Sequence, residues 1–264
     1  GRILKLVADL GLDENTIFVF TIDNGPLYNE LGGKSAFIVF DDFADLPRAA
    51  RTAAASMFFN QGESCNAPSR ALVHEGIADE FVRIVCAETA RYQPADPLDP
   101  GTELGAIVDD VQMRTVLGYI DAGSSDGARL AAGGRQVRAD TGGCYVEPTV
   151  FDQVSNAMRI AREEIFGPVA AAIEVNGVAE ALRVANDSIY GLSGSLWTRD
   201  AKRAQPAPAV NSGTPRPPTP SSPAPAPAAS GGRRRRNSAA SSPGPSPTPA
   251  PTSPPCPSAP RPGP

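Results

Sequence analysis

The chain has 264 residues, with 24 lysines and arginines against 29 acids and a formal charge of −5. Twenty of its 28 prolines fall in residues 205–264, a stretch with no aromatic residue, no acid and a single branched aliphatic, Val210. Such a tail buries too little apolar surface to offset chain entropy and is expected to be disordered; without its six arginines, 18 basic residues face 29 acids, about −11 over residues 1–204, which argues against nucleic-acid binding.

Taken in chain order, apolar residues at Ile3, Leu4, Leu6, Val7 and Leu10 have helical spacing, and Gly11 follows as a breaker. Residues 16–21 (Thr-Ile-Phe-Val-Phe-Thr) read as a strand ended by the turn signal Asp23-Asn24-Gly25-Pro26. A second strand is expected over 36–40, and an alanine-rich helix over 45–59 leads to Cys65. Further helices are predicted over 77–90, with Ile77, Phe81, Ile84 and Val85 on the core face, over 113–122 and over 178–185. Strands are predicted over 170–175 and 194–198. Strands alternating with helices imply an α/β class with a largely parallel sheet and flanking helices. No internal repeat is visible.

Cys65, Cys86, Cys144 and Cys256 are widely spaced and form no CxxC pair, which fits a reducing, cytoplasmic setting. The chain has no apolar run of 18 residues and no basic-then-apolar leader, so no membrane partner is expected.

Chemistry concentrates in three segments: Glu30-Leu31-Gly32-Gly33-Lys34-Ser35, then 58–70 (Phe-Phe-Asn-Gln-Gly-Glu-Ser-Cys-Asn-Ala-Pro-Ser-Arg), then 162–169 (Arg-Glu-Glu-Ile-Phe-Gly-Pro-Val). A polar loop of Asn60, Gln61, Gly62, Ser64 and Asn66 after an apolar helix exposes the Cys65 sulfur. Free cysteine has a pKa near ~8.5, so a small fraction is nucleophilic thiolate at neutral pH. An isolated cysteine, by contrast, is commonly a small core residue without chemistry. Glu30 on a glycine-flanked turn suits a base that activates water, against the ordinary reading of a solvated glutamate. Gly33-Lys34-Ser35 imitates the end of a phosphate-binding loop, but the glycine it requires at position 28 is Tyr28, which excludes that motif. The paired acids Glu163 and Glu164 have an alternative as a charge cluster at a helix start.

Together these segments resemble the aldehyde dehydrogenase family, in the family's order, from about Glu30 to Ala204. Glu147-Pro148-Thr149-Val150-Phe151 and the run 185–192 (Ala-Asn-Asp-Ser-Ile-Tyr-Gly-Leu) extend the likeness. The resemblance implies NAD(P)-dependent oxidation of a small-molecule aldehyde to a carboxylate, with Cys65 the nucleophile and Glu30 the general base. On the same ground Glu164, Phe166, Leu31 and Gly33 contact the cofactor, NAD or NADP, no metal is used, and the assembly is the family's usual homo-oligomer.

The flanks depart from that pattern. Residues 1–26 resemble a sulfatase fragment, in which Asp23-Asn24 would donate oxygens to calcium; two residues are too few for six to eight ligands. Cys65-Asn66-Ala67-Pro68-Ser69-Arg70 is one residue longer than the sulfatase Cys-x-Pro-Ser-Arg nucleophile motif. The organisation expected is therefore a 1–26 fragment, an incomplete catalytic domain over 27–204, and a tail over 205–264. The tail reads as out-of-frame translation of GC-rich DNA, and the chain alone is expected to be inactive or nearly so. Two further classes stand as alternatives: a calcium-dependent sulfatase-type hydrolase, and a non-enzymatic chain whose tail, with Arg233 to Arg236 and Ser238, docks a partner.

Overall fold

In a computed structural model, which describes residues 18–19, 33–205 and 210, strands and helices alternate as the sequence predicts. Strand β1 (Phe18–Val19) falls inside the expected strand, and β2 (Ala36–Val39) follows. Helix α1 (Leu46–Phe58) is capped by Asp45, whose side chain accepts from the Arg48 amide. Strand β3 (Arg70–His74) follows the cysteine loop, then α2 (Ala78–Glu88) and α3 (Asp110–Ser125), the latter capped by Asp109. Short strands β4 (Arg129–Ala132), β5 (Gln136–Val137), β6 (Tyr145–Val146) and β7 (Thr149–Asp152) lead to a one-turn helix α4 (Arg159–Arg162). The described part closes with β8 (Val169–Val175), α5 (Val178–Asn186), β9 (Gly194–Thr198) and α6 (Ala201–Ala204).

Seven strands form one sheet in the order β1-β9-β2-β3-β8-β7-β4, and β5 pairs with β6 in a separate hairpin. The five central strands are parallel, and the edge strands β1 and β4 run antiparallel. Both faces of the parallel strands are covered, so apolar residues point to both sides of the sheet rather than to one. Ile38, Leu72, Ala171, Ile173 and Leu196 point to one face and pack with Met113, Val116 and Ile120 of α3 and with Ala181 and Val184 of α5. Phe37, Val39, Ala71, Val73 and Trp197 point to the other, against the alanines of α1 and Phe81, Val82 and Val85 of α2. Small alanines at 49, 50, 53 and 54 let α1 lie close to the sheet, where all four are fully buried.

The predicted helix over 113–122 is longer than expected, because Asp109 and Asp110 start it a turn earlier. Strands β3 and β7, both in the sheet's centre, are not predicted from the sequence. The predicted helix over 2–10 and the turn at 23–26 lie outside the described residues, as does nearly all of the tail. No helix among the described residues is long and apolar enough to cross a membrane.

Candidate active site

Parallel pairing puts the approaches to β2, β3, β8 and β9 on one edge of the sheet. Ala36 is in register with Arg70 and Gly194, and Arg70 with Ala171. The three chemistry-bearing segments of the sequence are the loops that enter β2, β3 and β8, so they meet at the amino ends of the strands. Ser193, just ahead of β9, donates to Ser35 Oγ (2.9 Å) and to the Asn66 carbonyl (3.4 Å), which joins the fourth loop to them.

The cysteine loop is fixed through its backbone. The Gly33 amide donates to the Cys65 carbonyl at 2.6 Å. Asn60, Gln61 and Gly62 have φ of +48°, +58° and +71°, and a β-carbon on Gly62 would lie 2.2 Å from the Gly167 carbonyl oxygen. Glycine at 62 is therefore what permits the cysteine loop to lie on the Phe166-Gly167-Pro168 turn. The Cys65 residue itself is exposed, in keeping with its polar loop.

Gly33, at φ +98°, is equally crowded: a β-carbon there would come within 2.6 Å of Glu164 Cδ. One glycine thus touches both the cysteine loop and the Glu164 side chain. Among the described residues no donor reaches the Glu164 carboxylate, and burial raises its pKa, with the Lys34 ammonium opposing. Its backbone amide donates to the Tyr190 hydroxyl (3.1 Å). Phe166, at φ +54°, remains 40% exposed although aromatic, and Gln112 Nε2 donates to the carbonyls of Ile165 (2.9 Å) and Phe166 (2.8 Å). Left-handed backbone at Lys34, Asn60, Gln61 and Phe166 concentrates strain where the loops meet, a pattern typical of ligand clamps and reactive sites. An unsatisfied carboxylate over a glycine, beside an exposed aromatic ring, suits a ribose diol and a flat heteroaromatic ring.

Lys34 is fully buried and donates from Nζ to the Ile160 carbonyl at 2.5 Å. Desolvation, aided by Arg70, lowers its pKa to about 7, while Glu164 and Glu163 pull the other way. Arg70, also buried, donates to the carbonyls of Lys34 (3.2 Å), Val184 (3.2 Å) and Ala185 (2.9 Å) and to Asn156 Oδ1 (3.1 Å).

Of the residues expected at the site, Cys65, Gly33, Glu164 and Phe166 come together at this edge; Glu30 and Leu31 lie outside the described residues, as do Asp23 and Asn24. Glu163 and Glu164 follow α4 rather than start a helix, so the alternative of a helix-start cluster is corrected. Glu163 turns away to accept from Tyr119 Oη (2.8 Å) and Arg159 Nε (2.9 Å). Sequence reasoning misses Lys34, Arg70, Gln112 and Tyr190, whose roles arise from pairings between distant segments. Lys34, Arg70 and Tyr190 do lie in quoted motifs, the signal available for them; Gln112 lies in none. Among the described residues no cluster of histidine, cysteine and acidic side chains is placed to hold a metal ion.

Known proteins align with this arrangement. The sequence model of the aldehyde dehydrogenase family matches residues 23–215. A betaine aldehyde dehydrogenase of Mesorhizobium japonicum is 45% identical over 177 residues, 66% of this chain and 36% of that protein. The crystal structure of the aldehyde dehydrogenase KauB from Pseudomonas aeruginosa superposes with a TM-score of 0.68 at 52% identity, covering 69% of this chain and 37% of that one. An indole-3-acetaldehyde dehydrogenase solved in complex with NAD+ gives the same TM-score and identity over 70% of this chain and 37% of its own. The chain thus spans a little over a third of the length of these relatives. With a family match across most of its length and the same α/β fold, the chain belongs to the aldehyde dehydrogenase family.

Proposed function

We propose that this chain carries the thiol chemistry of NAD(P)-dependent aldehyde oxidation, with Cys65 as nucleophile and Glu30 as general base. The observation that carries the reading is the convergence, through Gly33, of the exposed Cys65 loop and the free carboxylate of Glu164. In this reaction the Cys65 thiolate adds to the aldehyde carbon, forming a C–S bond and a tetrahedral oxyanion. Hydride loss from that carbon leaves a thioester on Cys65. The oxidised nicotinamide of NAD or NADP, when bound, supplies the hydride acceptor. Glu30 then takes a proton from water as the hydroxide attacks the thioester, releasing a carboxylate and the free thiol. With the cofactor bound, Glu164 would hold the nicotinamide ribose hydroxyls with its unengaged oxygens, Phe166 would line the ring, and Leu31 and Gly33 would contact the same group. A related structure with bound NAD+ supports NAD or NADP as cofactor.

In the same reading residues 27–204 form the catalytic domain, 1–26 a sulfatase-like fragment and 205–264 a proline-rich tail. The protein works in the cytoplasm on a small aldehyde, as a homo-oligomer, with no nucleic-acid or membrane partner. Acyl transfer tests the nucleophile without cofactor. With p-nitrophenyl acetate the chain releases nitrophenolate and gains an acetyl group on Cys65 by mass spectrometry. Cys65→Ala abolishes both, and Glu30→Gln lets the acetyl-enzyme persist. Equal hydrolysis by the Cys65→Ala variant would overturn the assignment.

A further inference from the structure

The cysteine loop is fastened on a second side, away from Gly33 and Glu164. Gln61 donates from Nε2 to the Ala106 carbonyl (3.2 Å) and accepts from the Gly105 amide at Oε1 (3.4 Å). Glu63 Oε1 accepts from the Val108 amide at 3.1 Å. Asn60 Nδ2 donates to the Glu63 carbonyl (3.0 Å), which locks the loop's own turn. The segment so gripped, residues 105–108, runs into α3, where Gln112 holds the carbonyls of Ile165 and Phe166. The two halves of the candidate site are thus linked through one short stretch of chain.

We propose that Glu63 is a positioning residue for Cys65: its carboxylate clasps the cysteine loop to the Val108 amide, and through α3 to the Glu164–Phe166 turn. Glu63 stands two residues before Cys65 and acts through the backbone, touching no reacting atom. A clasp is needed because Asn60 and Gln61 occupy left-handed backbone, which persists only where the surroundings impose it. Gln61 supplies neutral bonds, whereas Glu63 supplies the charge-assisted one, about twice as strong. Burial raises the Glu63 pKa, the Asp109 charge adds to the rise, and the Val108 bond opposes it. Protonation weakens the carboxylate as acceptor, so the clasp loosens on acidification, at less acid pH than for an ordinary glutamate.

This inference rests on reading Cys65 as the nucleophile, and its test needs neither aldehyde nor cofactor. Amide NMR on the full chain follows Val108 through a pH titration that starts in the ordinary glutamate range and continues to neutral pH. The Val108 amide proton shift is expected to titrate in the wild-type protein and to stay flat in Glu63→Gln. Iodoacetamide labelling of Cys65, resolved by mass spectrometry at neutral pH, provides the second arm. Glu63→Ala changes the rate about three- to tenfold, the factor one net hydrogen bond supplies, while Glu63→Gln, which keeps an acceptor oxygen, stays within about twofold. A wild-type Val108 shift that ignores pH, or a Glu63→Ala labelling rate equal to wild type, would overturn the proposal. An intact Val108 titration in a chain that fails acyl transfer would instead remove the nucleophile and, with it, the purpose of the clasp.

Discussion

Lys34 carries a positive charge into a site with a single carbonyl acceptor, and that choice has a measurable cost. Its folded-state pKa is about 7, against 10.5 for the unfolded side chain. Below about pH 7 both states are protonated, and the burden on the fold is constant. Between these two values the folded chain has shed a proton that the unfolded chain keeps, so the Lys34 contribution to stability increases with pH, by up to about 1.4 kcal/mol per unit. Urea unfolding at pH 6 and pH 9 checks this: the stability of the wild type relative to Lys34→Met should rise between the two. A difference that does not change with pH would contradict it. Cys65, Gly33, Glu164 and Phe166 were legible as site candidates because each belongs to a long, ordered run of residue types. Lys34 was not, since nothing in Gly-Lys-Ser says whether the amine faces solvent or a carbonyl 126 residues away.

Arg70 does at the level of elements what no single strand could. As the first residue of β3 it donates to the last-turn carbonyls of α5, to the carbonyl of Lys34 ahead of β2, and to Asn156 ahead of α4. Carbonyls in the last turn of a helix lack intrahelical partners, and a guanidinium satisfies both their bonding and the helix dipole. Arg70→Ala should cost about 3–5 kcal/mol, because the Lys34 and Ala185 carbonyls lose this donor together and the Val184 carbonyl keeps only its bond from the Asp187 amide. Denaturant midpoints measure the loss, and one below about 1 kcal/mol would contradict the role. This arrangement also explains why β3 escaped the sequence. Arg-Ala-Leu-Val-His opens with a residue type seldom buried, and it follows directly on the cysteine motif. Strand Ala36–Val39 was legible as part of an apolar run between Ser35 and Asp41, and Gly194–Thr198 through the strand-forming types Leu196, Trp197 and Thr198. The short strands β4 to β7 depend on pairing with one another and with β8, for which periodicity carries no signal.

At the scale of the whole molecule, the candidate site occupies the less usual edge of its sheet. Open α/β sheets generally bind ligands beyond the carboxyl ends of their strands. Here the carboxyl ends of β2 and β9 are tied together: Asp42 accepts from Thr198 Oγ1 and from the Arg199 and Asp200 amides, and Arg203 pairs with Asp41 and Asp42. The amino edge instead gathers the loops ahead of β2, β3, β8 and β9, where glycines 33 and 62 allow contacts that any side chain would block. The α/β class was legible from alternating elements, whereas which edge carries chemistry followed only from the parallel register. The central claim is that the Cys65 thiol adds to an aldehyde carbon at this edge. Carbon-13 NMR of the chain with propanal labelled at the carbonyl tests it directly. The account predicts a protein-bound resonance of a tetrahedral carbon bonded to sulfur, absent in Cys65→Ala. Spectra showing only free aldehyde and its hydrate, or the same bound signal in Cys65→Ala, would contradict it.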